Sequence, residues 1–349
     1  MLSFKIIQMN LFYELLIYKL KNIFYSIKSV KKKIYIHIGT PKTGTTAIQK
    51  YLNECNKKLK SDKVYYPLIG RQIQLDSKSY FINGTFLTYF NYDEKRAKEI
   101  LNKFASSNCE TMILSEEMLF IDHIYEINKL NFLNRNKLLN YLAPFDIKII
   151  VYLRPPLEYI SSLWKEHLLA GESIDLEDFL KNYPIENSFK FLDNLNRIFG
   201  KKNVIIKKYS YKVLDDFINE LGLKKYDYKN KIINKSFSRS FCEKILYANK
   251  KINLALGQNI KILNLLLSLN KKGINNYNSI QLEKKLKILD FIKKRCGSNS
   301  QILKSLIEDE FLNLKQKKVK QKNISKNINF INALEKKEIE RILKKIDLT

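Results

Sequence analysis

The chain has 349 residues, 45% of them hydrophobic, so it is long and apolar enough to bury a sizeable core. Its formal net charge is +28, and only eight of its 63 basic residues are arginines, which leaves 55 lysines by subtraction. The lysines are spread along every segment, and no DNA- or RNA-reading motif accompanies them. We therefore expect no nucleic-acid partner, although anionic ligands and surfaces will feel this charge.

Residues 1–30 are predicted to form an amphipathic helix, because their apolar side chains repeat at the helical period. Lys5, Glu14, Lys19 and Lys21 interrupt any continuous apolar span, so neither a transmembrane helix nor a signal peptide is expected. The helix is expected either to contact a membrane surface peripherally or to dock on the protein itself. The protein is therefore expected in the cytoplasm with reduced cysteines, and a membrane contact of this helix is expected at the inner face of the membrane.

A predicted strand at residues 34–36 leads into the small-residue loop HIGTPKTGTT at residues 37–46, and a predicted helix, AIQKYLNECNKKL, follows at residues 47–59. Gly39 and Gly44 are expected to adopt backbone conformations that other residues disfavour, and Thr45 and Thr46 to cap the helix. A helix N-terminus presents N–H groups and a positive dipole end to an anion. The segment is therefore predicted to bind phosphate.

The loop is not a Walker A motif, because Lys42 precedes Gly44 by two residues instead of following the second glycine. The order PKTGTT resembles the 5′-phosphosulfate loop of sulfotransferases that use PAPS (3′-phosphoadenosine 5′-phosphosulfate). The resemblance implies that Lys42, Thr43, Gly44, Thr45 and Thr46 bind the phosphosulfate. It also implies that Lys42 is catalytic, as the cation that stabilises charge on the leaving phosphate.

A second motif lies at residues 147–168, where a buried-type strand ends in Arg154 and a helix begins after two prolines. Arg154 is expected at the carboxyl end of its strand, where open α/β sheets bind ligands. Ser162 follows eight residues later. Sulfotransferases have an arginine and a serine at this spacing, so the resemblance implies that Arg154 and Ser162 bind the 3′-phosphate of the cofactor.

Candidates for a catalytic base lie at the end of another predicted strand, in residues 111–120. The resemblance favours Glu116, because the family often has an acid directly after a serine at this point, although Leu114 stands where the family has an earlier serine. His37 is expected to pack within the first strand. The alternative bases are Glu117, His123 and His167.

These elements predict an α/β fold of the P-loop type: a three-layer sandwich with a mostly parallel sheet and a C-terminal helical extension. Residues 31–315 are expected to form the sulfotransferase domain, and residues 316–349 a basic helical tail. The predicted strands lie at about residues 33–38, 64–66, 111–115, 147–153 and 203–208.

The resemblance implies an enzyme that transfers a sulfonyl group from PAPS to a hydroxyl or amine of a carbohydrate or glycolipid, without a metal. Two alternatives from other classes remain open. A nucleotide-dependent kinase would use the same kind of loop for ATP but would need a magnesium-binding aspartate. A non-catalytic polyanion or membrane binder would show salt-sensitive association without specificity for PAPS.

Overall fold

The structure is a computed structural model that describes most of the chain between residues 32 and 251. The described residues are 32–75, 78–87, 93–120, 136–228 and 239–251, with residues 289, 290, 292, 294, 305–308, 337, 340 and 341. They belong to two compact units. The first unit comprises residues 1–154 and 184–231, and the second comprises residues 155–183 and 232–349.

The first unit is built on a five-stranded parallel sheet with the order β2-β5-β1-β6-β7. A separate antiparallel hairpin consists of β3 and β4. The strands are β1 (Lys33–Ile38), β2 (Val64–Tyr65), β3 (Arg71–Leu75), β4 (Lys78–Ile82), β5 (Thr111–Glu116), β6 (Asp146–Leu153) and β7 (Val204–Lys208). The predicted strand positions and the mostly parallel sheet are confirmed.

Helices connect the described strands of the parallel sheet, as crossovers between parallel strands require. The helices of the first unit are α1 (Thr45–Glu54), α2 (Asn56–Ser61), α3 (Glu94–Ser106), α4 (Asn136–Leu142), α7 (Ile185–Phe199) and α8 (Val213–Glu220). Those of the second unit are α5 (Pro156–Leu169), α6 (Leu176–Asn182) and α9 (Arg239–Lys251).

Both faces of the sheet are covered, because successive side chains of a strand point to opposite faces and both sets are buried. On one face, Tyr35 and Ile150 pack with residues of α1 and α8 in a single apolar cluster. On the other face, Ile34, Ile36 and Leu114 are fully buried. The predicted α/β sandwich is therefore confirmed in the first unit.

The strand order creates a switch point between β1 and β6. From β1 the chain continues toward β2 on one side of the sheet, whereas from β6 it continues toward β7 on the other side. Open α/β sheets bind ligands in the crevice at the carboxyl ends of two such strands. The predicted phosphate loop follows β1, and Arg154 follows β6, so both lie at the switch point.

The second unit is helical in its described part. The Trp164 indole donates a hydrogen bond to the carbonyl of Ile174 at 2.9 Å. The Asn249 amide, on α9, donates to the carbonyls of Leu168 and Glu172 at 2.9 and 2.8 Å. These bonds tie the end of α5 and the turn after it to α9.

Several predictions fall on residues outside the described part of the chain. They are the amphipathic helix at residues 1–30, the base candidate His123 and nearly all of the tail at residues 316–349. Across the residues that are described, every helix is too short or too polar to cross a membrane.

Candidate functional site

The loop between β1 and α1 has the backbone geometry of a phosphate cradle. Gly44 precedes the first residue of α1 with a φ of 79°, which only glycine adopts without strain. Lys42 also has a positive φ, of 66°, which is uncommon for a side chain of this size and costs conformational free energy. Strain of this kind is typical of functional loops that the surrounding structure holds in place.

Two predictions for this loop are wrong. Thr45 and Thr46 do not cap α1, because the helix already begins at Thr45, and Gly44 occupies the capping position without a side-chain hydrogen bond. Gly39 does not have a positive φ, and glycine is required there for space instead. A Cβ atom on Gly39 would lie 2.5 Å from Oγ1 of Thr45.

The hydroxyls of two threonines in the loop form hydrogen bonds that hold its backbone in place. The buried Thr43 hydroxyl donates a hydrogen bond to the carbonyl of Thr40 at 2.7 Å. The Thr40 hydroxyl in turn lies within hydrogen-bonding distance of the Tyr152 carbonyl on β6. The loop after β1 is thereby attached to the neighbouring strand across the switch point. The Thr43 side chain thus shapes the loop, and the binding of the phosphosulfate by Thr43 stays a prediction.

Arg154 lies beside the same loop, and one aromatic ring connects the two. The guanidinium carbon of Arg154 is 4.2 Å from the ring centroid of Tyr209, a stacking distance that holds the guanidinium plane in place. A Cβ atom on Gly44 would be 3.5 Å from Cε2 of this ring. The backbone N–H of Tyr209 donates to the Leu153 carbonyl at 2.8 Å. The structure therefore brings Arg154 and the phosphate loop together.

Two buried donors at this site have no hydrogen-bond partner among the described residues. They are Nε of Arg154 and Oγ1 of Thr45. Buried polar groups are normally satisfied, so a group left without a partner calls for an explanation such as a ligand. One donor lies at the start of α1 and the other after β6, as a ligand with two separate anionic groups would require. The residues present thus fit the donor nucleotide that the sequence predicts.

Glu116 ends β5 and is fully buried next to the loop. Its carboxylate accepts hydrogen bonds from the Thr85 hydroxyl at 2.8 Å and from the Met118 backbone N–H at 3.0 Å. Its own carbonyl accepts the Gly39 N–H at 3.1 Å. Glu116 is therefore fixed against the first residue of the phosphate loop.

Burial raises the pKa of Glu116 above the usual value for a carboxyl group, because an apolar environment disfavours the charged form. The hydrogen bonds from Met118 and Thr85 oppose this rise. A carboxyl group with a raised pKa is a stronger base once it has lost its proton, which suits removal of a proton from an acceptor hydroxyl.

The other candidate bases differ in their surroundings. Glu117 is partly buried and adjoins Glu116 in the chain. His167 belongs to the second unit, where its Nδ1 lies 2.6 Å from Oε1 of Glu172. Ser162 also belongs to the second unit, on α5. The partnership of Ser162 with Arg154, on the first unit, therefore stays a prediction.

His37 is packed within the strand, as expected. It is fully buried, and burial lowers its pKa from 6.5 to about 3. The folded protein therefore does not bind a proton that the unfolded chain takes up below pH 6.5, so stability falls as the pH decreases from about 6.5 toward 3. The titration of Glu116 acts in the opposite direction, because a raised carboxyl pKa makes stability fall as the pH rises.

The substitution His37→Gln should flatten this dependence on pH. Between pH 7.5 and 4.5 we expect the wild-type protein to lose about 2–3 kcal/mol more of its free energy of unfolding than the variant does. Urea denaturation of both proteins at pH 7.5 and pH 4.5 measures this difference in the free energy of unfolding. Comparing two proteins that share Glu116 cancels the contribution of that group. Equal losses in the two proteins would contradict a neutral, buried His37.

Three residues that shape the site were not predicted from the sequence. Tyr209, in the turn after β7, was not predicted to belong to the site, although its ring holds Arg154. Thr40 and Thr85 were not considered, although they hold the loop and Glu116. Thr40 lies inside the loop motif and was detectable there. Thr85 is 31 positions from Glu116, and only the fold brings it close.

Comparisons with known proteins add little to this geometry. No family model and no curated protein matches the chain. Among solved structures, the chain is similar to the crystal structure of retinol dehydratase in a complex with retinol and PAP. The match covers 87% of this chain and 85% of that chain, at 12% identity and a TM-score of 0.23. A likeness this weak carries no argument about fold or function.

Proposed function

We propose that the protein is a PAPS-dependent sulfotransferase that transfers a sulfonyl group to a hydroxyl or amine of a carbohydrate or glycolipid. The observation that best supports this is the position of Arg154, stacked on the Tyr209 ring that also adjoins Gly44 of the phosphate loop. A nucleotide with phosphate at both its 5′ and 3′ positions can use both anion sites. ATP, which has phosphates only at the 5′ position, has no group for Arg154.

Each residue has a defined task in this proposal. PAPS would supply the activated sulfonyl group, and adenosine 3′,5′-bisphosphate (PAP) would remain as the second product. The loop residues Lys42–Thr46 hold the 5′ end, where the positive end of the α1 dipole and the Lys42 ammonium stabilise charge on the leaving phosphate. Arg154, with Ser162, binds the 3′-phosphate through charge-assisted hydrogen bonds. Glu116 accepts the proton of the attacking hydroxyl.

The carbohydrate or glycolipid acceptor is supported by the family resemblance of the sequence and by the net charge of +28, which suits an anionic glycan. A chain with 21 tyrosines also has many side chains suited to contact with sugar rings. Labelled PAPS offered with a panel of sugars, glycolipids, phenols and sterols tests the acceptor class. Labelling of sugar-containing compounds is the expected result, and labelling confined to phenols or sterols would contradict it.

Calorimetric titration with PAP, AMP and ATP tests the cofactor site directly. PAP and AMP differ only in the 3′-phosphate, so the wild-type protein should bind PAP roughly 10- to 100-fold more tightly than AMP, as one charge-assisted contact provides. Arg154→Ala should abolish this preference and leave AMP binding nearly unchanged. Arg96→Ala is the matched control, because Arg96 is exposed on α3.

The alternatives give different results in the same experiment. Magnesium-dependent ATP binding that is tighter than PAP binding, and insensitive to Arg154→Ala, would favour the kinase. Weak binding of all three nucleotides, lost as salt increases and without preference for the 3′-phosphate, would favour a polyanion binder. Either result would overturn the sulfotransferase.

A further inference from the structure

A buried polar cluster lies behind the phosphate loop and has no task in the mechanism above. Its three members come from three different elements: Gln49 from α1, Ser115 from β5 and His37 from β1. The Gln49 amide donates to Oγ of Ser115 at 3.2 Å, and this oxygen lies 2.9 Å from Nδ1 of His37. All three side chains are at most 2% exposed.

One hydroxyl joins the three members of the cluster. The Gln49 amide donates to the Ser115 hydroxyl oxygen, and Nδ1 of His37 is hydrogen-bonded to the same hydroxyl. The other ring nitrogen of His37 is Nε2. That atom is buried without a hydrogen-bond partner among the described residues, and the ring lies edge-on to Phe217 at a centroid distance of 5.4 Å.

This arrangement is costly for stability. A buried ring nitrogen without a partner lowers stability, and three apolar side chains of similar volume would avoid this loss. The polar cluster restricts the relative positions of its three elements, because hydrogen bonds require particular distances and angles. Apolar contacts allow the elements to shift relative to one another.

The bonded groups lie on both sides of the site. Gln49 is one helical turn after Thr45, on the helix whose start forms the cradle. Ser115 immediately precedes Glu116 and is held further by Asn83, whose side-chain oxygen accepts the Ser115 N–H at 2.8 Å. The bond between Gln49 and Ser115 therefore links the phosphate cradle to the strand end that carries the carboxylate.

We propose that Gln49, Ser115 and His37 form a positioning cluster that sets the Glu116 carboxylate relative to the phosphate loop. The inference rests on the proposed function, because it assigns to Glu116 the role of base. The cluster touches neither donor nor acceptor and acts only through Glu116. Misplacing a catalytic group by a fraction of an ångström to 1 Å is enough to lower turnover substantially without weakening cofactor binding.

The test is a double-mutant cycle with Ser115→Ala and Glu116→Gln, measured as PAP released from PAPS with water or a labelled sugar as acceptor. Ser115→Ala alone should lower the rate about ten- to a hundredfold, with the PAP affinity within about threefold of wild type. In the Glu116→Gln background, Ser115→Ala should change the rate less than about twofold. Gln49→Met removes the same bond with little change in volume and should behave likewise.

Asn203→Ala is the matched control, because it removes a hydrogen bond of 2.9 Å to Phe199 at the amino end of β7, opposite to the site. It should leave the rate unchanged. Additive losses in the cycle would overturn the positioning role. If the wild-type protein fails to bind PAP, the proposed function itself fails. A protein that binds PAP but never releases it from PAPS would overturn the role of Glu116 and, with it, this inference.

Discussion

Lys42→Ala is expected to lower the rate of sulfonyl transfer by roughly two to three powers of ten, the usual effect of removing one preorganised charge stabiliser. The left-handed backbone at Lys42 is part of the reason. Gly44 and the Thr40 and Thr43 hydroxyls fix the loop backbone from which the Lys42 side chain extends, so this backbone needs little rearrangement when a ligand binds.

The measurement is PAP release from PAPS at saturating nucleotide, with PAP affinity measured in parallel. Since Lys42 acts on charge that develops during transfer, its loss should reduce turnover far more than PAP binding. Lys42→Met repeats the test with a side chain of similar length and no charge. Lys57→Ala, on the exposed surface of α2, is the control for loss of a lysine. Turnover of Lys42→Ala within threefold of wild type would contradict the assignment.

Glu116→Gln is expected to lower turnover by about two to four powers of ten, the range attributed to a positioned general base. The amide has nearly the shape of the carboxyl group and can still accept hydrogen bonds from Thr85 and Met118 through its oxygen. The substitution therefore removes the proton acceptor with little disturbance of the strand end.

The dependence on pH distinguishes a base from a structural carboxylate. Because burial raises the pKa of Glu116, wild-type turnover should increase with pH through a value above that of an exposed glutamate. Glu116→Gln should lack this increase and retain its affinity for PAP. Glu117→Gln is the matched control on the adjacent residue. If Glu117→Gln abolishes the increase with pH and Glu116→Gln does not, the two carboxylates have exchanged roles.

The sequence determined the fold class and the position of the cradle. Apolar runs bounded by loops predict the parallel strands, and the small residues around Lys42 predict the turn from β1 into α1. Both depend on neighbours in the chain, so local patterns contain the information. The capping prediction for Thr45 and Thr46 was wrong because the local pattern does not show at which residue the helix begins. A threonine before a helical pattern and one inside it look alike until the backbone of Gly44 is known.

Only the tertiary structure decided which distant residues serve the site. Strand order places Arg154 beside the loop, and the turn after β7 brings Tyr209 against its guanidinium. Thr85 reaches Glu116, and Gln49 reaches Ser115, across 31 and 66 positions of sequence. Contacts of this range depend on how strands and helices pack, and no local pattern of side chains records them. The sequence thus determined where the candidate anion site lies, whereas packing decided which side chains hold the candidate groups in position.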